Sequence, residues 1–161
     1  MQLYFAYGAN MVQDDMDRRC PAARLLGAAI LDHYRFAITR SGYGTVLRQA
    51  GARVHGVLWR LARGDEAALD RFEEVERGRY RRAWLVVRRN GRPVTALVYI
   101  AAATEPGRPS AAYIGAILAS ARRFGFPAGY VAALDAIART ASGVSPASRN
   151  ARSVSEGSLL A

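Results

Sequence analysis

The chain has no lysine, a single cysteine, two histidines and no long apolar run, and each shortage removes a class of function. All 23 basic residues are arginine, so Schiff-base and P-loop chemistry, which need a lysine amine, are excluded. One thiol, Cys20, cannot form an internal disulfide or a cysteine-based zinc site. His33 and His55 have no partner at metal-ligand spacing. No stretch approaches the roughly 18 uninterrupted apolar residues of a membrane span. The N-terminus has no basic segment ahead of an apolar one, so it does not read as a signal peptide. A soluble, cytoplasmic protein with no membrane partner and no metal is expected.

What is present fits a globular chain of 161 residues, 51% of them apolar. That length suits one domain with a substantial core. The composition shifts to Ser, Ala, Gly and Arg after residue 141. The sequence therefore predicts a domain over 1–141 and a flexible tail over 142–161. The net charge of +10 raises the question of nucleic acid. The arginines are dispersed in pairs, however (Arg18-Arg19, Arg81-Arg82, Arg88-Arg89, Arg122-Arg123), and no recognised nucleic-acid motif accompanies them. No nucleic-acid partner is expected, and a preference for anionic small molecules is the milder inference.

Periodicity predicts a strand over 2–7, then a helix capped by Asn10 and stopped by Pro21. Strand-length apolar runs follow at 24–32, 34–39, 45–47 and 54–61. Asp65 reads as the cap of a helix whose apolar face carries Leu69, Phe72 and Val75. Asn90-Gly91 between two β-rich runs, 81–88 and 94–101, is a strong hairpin signal. Helices are predicted over 111–124 and 128–140. The strands are too closely spaced for βαβ units. The predicted fold class is therefore α+β, a single-domain, mostly antiparallel small β-barrel flanked by helices.

Two segments carry chemistry. The opening run Tyr4-Phe5-Ala6-Tyr7-Gly8-Ala9-Asn10-Met11 takes a strand into a glycine and then directly into a helix start. Such a turn offers backbone N–H groups to an anion or oxyanion. The second segment is acidic, Asp70-Arg71-Phe72-Glu73-Glu74-Val75-Glu76. Glu74 and Glu76 read as solvated. Glu73 sits at the edge of the apolar stripe, where a carboxylate can enter a sheltered pocket and move protons. Cys20 has no evident activating base, and no serine lies in a G-x-S-x-G elbow. Tyr7, Tyr80 and Tyr99 belong to segments able to border the Gly8 turn.

Together these motifs resemble the γ-glutamylcyclotransferase-like (AIG2-like, BtrG-like) family over about residues 3–137. The opening run is one match. Gly44-Thr45-Val46 with Val54-His55-Gly56-Val57-Leu58-Trp59 is a second. Leu69-Asp70-Arg71-Phe72-Glu73-Glu74-Val75, followed by Tyr80 seven residues after Glu73, is a third. Val98-Tyr99 and Phe124-Gly125-Phe126-Pro127-x-x-Tyr130 complete the set. The resemblance implies a cofactor-free cyclotransferase of transferase or lyase type. In it a γ-glutamyl substrate's α-amine attacks its own γ-amide, releasing 5-oxoproline and an amino acid or amine. It implies Glu73 as the catalytic acid/base, and Tyr7, Gly8, Ala9, Asn10, Tyr80 and Tyr99 as substrate-binding residues. The chain departs from the family pattern at Ala9, usually Ser, and at Glu74, usually Gly. Glu74 either raises the pKa of Glu73 by repulsion or faces solvent. A non-catalytic module that binds a small ligand in the same pocket is the alternative, and a monomer and a homodimer are both compatible with the sequence.

Overall fold

Two long antiparallel strands form most of the sheet. The computed structural model describes residues 1–141, so the expected tail at 142–161 lies outside the described residues. The strands are β1 (Gln2–Ala6), β2 (Arg24–Ile38), β3 (Gly44–Leu61), β4 (Tyr80–Arg89) and β5 (Arg92–Ala101). The helices are α1 (Gln13–Arg19), α2 (Asp65–Phe72), α3 (Ala111–Arg123) and α4 (Ala128–Ala138).

The four strand-length runs at 24–39 and 45–61 are two continuous strands. Their register shifts between Leu25 and Gly27 and between Asp32 and Tyr34. At the second shift His33, at a positive φ of 63°, lies opposite residues 49–52 of β3, which bulge out before the pairing resumes. Residues 48–51 of β3 are polar, small and exposed. Only Arg48 among them pairs with β2, and Gly51 takes a left-handed φ of 78°.

The sheet closes into a barrel in the order β1-β3-β2-β4-β5. Pairings β1–β3, β2–β3, β2–β4 and β4–β5 are antiparallel. The barrel closes where β1 runs parallel to β5, with Tyr4 opposite Leu97. The expected hairpin is present, with Asn90 and Gly91 at φ values of 51° and 74°. These are the left-handed angles that a tight two-residue hairpin turn requires.

Alternation along β1 divides the core. Phe5 and Tyr7 join Leu31, Val54, Leu58 and Val98 in one cluster. Tyr4 and Ala6 join Trp59, Leu69, Leu97 and the apolar face of α3 in the other. Gly56 lets β1 and β3 approach, because a Cβ there would collide with the Ala6 carbonyl and the Phe5 ring.

Two expected helix caps are corrected. Asn10 is not the cap of α1. It lies inside a single 3₁₀ turn, Ala9–Met11, and Val12 precedes the helix without a side-chain cap bond. Asp65 is the first residue of α2, preceded by left-handed Gly64. Its Oδ2 instead accepts from the Ala62 N–H at 2.7 Å. Val75 is also off the α2 face, since the helix ends at Phe72. α3 starts on Ser110, whose Oγ accepts from the Tyr113 N–H. It ends in a Schellman turn, with the Phe126 N–H on the Ala121 carbonyl and left-handed Gly125. Among the described residues, no helix is long and apolar enough to cross a membrane.

Candidate active site

The site begins where β1 runs out. After Tyr7 the chain turns at Gly8, and the Met11 N–H returns to the Gly8 carbonyl at 3.1 Å. The leading N–H groups of such a turn have no acceptor within it, and Gly8, Ala9 and Asn10 all line one hollow. A Cβ at Gly8 would come within 3.0 Å of the Tyr113 hydroxyl.

The second contribution comes from the end of α2. Glu73 follows the helix as its C-cap, with its N–H on the Leu69 carbonyl at 2.8 Å. Leu69 is fully buried and anchors that last turn. Glu74 then takes a left-handed conformation (φ 50°), which swings the chain away. The consequence is that Phe72 and Glu73 face the Gly8 turn across the hollow, while Glu74 does not line it. Glu73 is only 8% exposed. The hollow measures about 330 Å³ counting the space at its mouth. Glu73 is the sole carboxylate among its lining residues.

The structure brings together every site residue read from the sequence: Glu73, Tyr7, Gly8, Ala9, Asn10, Tyr80 and Tyr99. It adds Tyr4, Gly44, Phe72 and Tyr113. The tyrosine hydroxyls brace the wall. Tyr7 donates to the Tyr99 carbonyl at 2.5 Å, and Tyr80 donates to the Gly44 carbonyl at 2.7 Å. Tyr113 Oη accepts from the Gly44 N–H at 2.9 Å. Burial, reinforced by the Glu73 charge, pushes the Tyr4 and Tyr7 phenols well above their usual range. They are therefore neutral donors, not bases.

Asn10 is held on three sides. Its Nδ2 donates to Tyr4 Oη at 2.9 Å, and its Oδ1 accepts from Arg19 Nη1 at 2.7 Å. Its carbonyl accepts from Trp59 Nε1 at 3.0 Å. Arg19 in turn lies over the Phe72 ring, 3.7 Å from its centroid, tying α1 to the end of α2.

Tyr99 donates to Asp70 Oδ1 at 2.8 Å, and Arg82 pairs with the same carboxylate. Burial raises the Asp70 pKa, but the hydrogen bonds from Arg82 and Tyr99 outweigh it and hold it below the usual carboxylate range. The folded pKa is thus below the unfolded value of about 3.9. The stabilisation is complete above that value and is lost as pH falls through the folded pKa. Asp70→Asn is expected to destabilise the protein at pH 7, and the difference from wild type should shrink below about pH 4. Urea melts at the two pH values check this.

The other candidates are structural. The His55 ring packs on Tyr130 and Phe126 at 4.8 and 5.6 Å. His33 Nδ1 accepts from the Gly51 N–H across the bulge. Cys20 is buried, and burial pushes its thiol up to about 11. Among the described residues, no group of three or more His, Cys, Asp and Glu is placed to hold a metal ion.

The AIG2-like family model matches residues 53–134. The mouse γ-glutamylcyclotransferase is 30% identical over 146 residues, covering 84% of this chain and 78% of the mouse protein. This chain belongs to the AIG2-like family. The human γ-glutamylcyclotransferase is 29% identical over the same coverage. The fold of this AIG2-like protein is also that of solved relatives. A γ-glutamyl cyclotransferase structure superposes with a TM-score of 0.83 at 24% identity, covering 97% of this chain and 98% of its own. A human structure described as uncharacterized gives 0.83 at 26%, covering 96% and 98%.

Proposed function

We infer that this protein is a γ-glutamyl cyclotransferase, an enzyme that converts a γ-glutamyl amide into 5-oxoproline and a free amino acid or amine. One observation carries the site assignment: a single buried carboxylate, Glu73, faces the Gly8 turn inside one hollow. Nucleophile and electrophile belong to the same substrate, so the reaction itself calls for no cofactor. The protein must fold the glutamyl chain so that its amine meets its γ-carbonyl, an effect worth about 7–11 kcal/mol in well-oriented intramolecular reactions.

Glu73 takes a proton from the α-ammonium, and the freed amine attacks the γ-carbonyl carbon. N–H donors at the Ala9–Asn10 turn stabilise either the oxyanion that forms or the α-carboxylate. The tetrahedral carbon then expels the amide nitrogen, which collects the proton held by Glu73. The lactam keeps one of the ammonium's three hydrogens, and the leaving amine departs as an ammonium ion with the other two. Because Ala9 acts through its backbone N–H in this scheme, the missing serine hydroxyl costs nothing essential. Tyr7, Tyr80 and Tyr99 give the hollow its shape.

The site draws only on residues between Tyr4 and Tyr113, which supports residues 1–141 as the catalytic domain. A lone buried thiol suits the reducing cytoplasm, and the substrate enclosure on one chain suits a monomer or a homodimer. The test is 5-oxoproline release from γ-glutamyl-alanine and from γ-glutamyl amines, run beside thermal shifts with the same compounds. Product from at least one donor is expected. Raised melting temperatures with no product from any donor would replace the enzyme by a binding module.

A further inference from the structure

The Asn10 side chain is the middle link of a hydrogen-bond chain with a fixed direction. An arginine guanidinium only donates, so the atom 2.7 Å from Arg19 Nη1 is the amide oxygen, Oδ1. The amide Nδ2 then faces Tyr4 Oη at 2.9 Å and donates to it. Tyr4 Oη is thereby an acceptor on that side, and its own proton is aimed elsewhere. Among the described residues, none accepts that proton. Tyr4 is 4% exposed and lines the hollow between Gly8 and Glu73, and burial, with the Glu73 charge, keeps its phenol protonated. A buried hydroxyl with a proton to share therefore borders the reacting space.

Arg19 is built into the back of this wall. It is the last residue of α1, and the N–H of the next residue, Cys20, bonds to the Met16 carbonyl at 2.7 Å. Met16 and Cys20 are both buried, which anchors the helix end. The guanidinium lies over the Phe72 ring, 3.7 Å from its centroid. Phe72 immediately precedes Glu73, and the Asp15 and Glu73 carboxylates attract the guanidinium charge. Three elements, α1, the Gly8 turn and the end of α2, thus meet at one side chain.

We propose that Arg19 is a positioning residue for the cyclotransfer: through Asn10 it keeps Tyr4 a hydrogen-bond donor to the γ-carbonyl oxygen as that atom becomes an oxyanion. This rests on the cyclotransferase reading above. Tyr4 keeps its proton throughout, and Glu73 alone carries the proton from the ammonium to the leaving amine. The amide oxygen and nitrogen of asparagine are nearly the same size, so the side chain turns over whenever that gives better partners. Arg19 forbids the turned form, which would set two donors against each other. Without the guanidinium, Oδ1 can swing to Tyr4 and accept its proton. The hollow then keeps its shape and its carboxylate but loses one donor to the transition state.

The test is a double-mutant cycle on kcat for 5-oxoproline release, each protein read at its own pH optimum so that a shifted Glu73 pKa does not enter. Arg19→Met fills much of the same space and donates nothing, and Tyr4→Phe removes only the hydroxyl. Each is expected to lower kcat by about tenfold or more, the scale of one hydrogen bond to a charged group. In the Tyr4→Phe background Arg19→Met should cost nothing further, because the chain it directs has lost its end. A purely structural arginine would lower kcat alike in both backgrounds. Losses that multiply therefore overturn the proposal, as does a wild-type kcat in either folded single variant or a loss confined to KM. Should Arg19→Met fail to fold, Asn10→Asp decides. It keeps an acceptor for the guanidinium but offers Tyr4 an acceptor in place of a donor. Its kcat should fall to the Tyr4→Phe level in a folded protein, and a wild-type kcat overturns the proposal. A wild type that releases no 5-oxoproline from any γ-glutamyl donor overturns the cyclotransferase reading and this role together. Wild-type turnover with multiplying losses overturns this role alone.

Discussion

Glu73→Gln is expected to lower kcat for 5-oxoproline release by about 10²–10⁴-fold, the usual share of a positioned acid/base. The amide fills the same space as the carboxylate but neither takes nor returns a proton. The Glu73 N–H stays on the Leu69 carbonyl, and Leu69 still anchors the turn. The melting temperature should therefore move by only a few degrees. KM should change little, since the hollow's shape is set by the turn and the tyrosines. Full-time-course assays with circular-dichroism melts of both proteins check the expectation. A variant that turns over at near wild-type rates would remove Glu73 from the chemistry.

The second large effect is on the fold. Trp59 is fully buried, and its indole N–H supports the Asn10 carbonyl at 3.0 Å. Trp59→Ala should cost about 3–5 kcal/mol through lost burial and the void left behind. Trp59→Phe keeps most of the apolar volume but leaves that carbonyl without its donor, a loss of about 1–3 kcal/mol. Urea denaturation with an unchanged m-value separates these losses from a change in compactness. Because the bond ends on the turn itself, Trp59→Phe should lower activity by more than its stability loss explains. Equal activity of the Trp59→Phe variant and wild type under folding conditions would show that the turn holds without the indole.

Much of this site is legible in residue order because its parts lie in short, local motifs. The Tyr7–Asn10 turn, Glu73 and Tyr80 each belong to a run with its own signature. Tyr4 escapes such a reading because its hydroxyl's partner, Asn10, is one that sequence spacing does not reveal. Tyr113 escapes it for another reason. It sits on a helix of ordinary amphipathic pattern, and only the packing of α3 across β3 brings its hydroxyl to Gly44. Residue order leaves Glu74 either repelling Glu73 or solvated. In the fold a left-handed backbone turns it away from the Gly8 hollow, and its carboxylate pairs with Arg77 and Arg79. The length of β2 and β3 is hidden by the bulge of residues 49–52 opposite His33, where small and polar exposed residues break the alternation in the middle of the pair. The hairpin at Asn90-Gly91 is plain because its turn needs two left-handed residues and few dipeptides supply them.

The placement of β1 has a consequence for how the protein is made. β1 is wedged between β3 and β5, partners centred on residues 57–61 and 97. Until Leu97 has been synthesised, the N-terminal segment has an unsatisfied edge, and the pocket it begins has no far wall. Loop-closing steps of this span are slow and come late. A chain that has not yet paired β1 with β5 therefore has an open site and a bare strand edge able to stick to its neighbours.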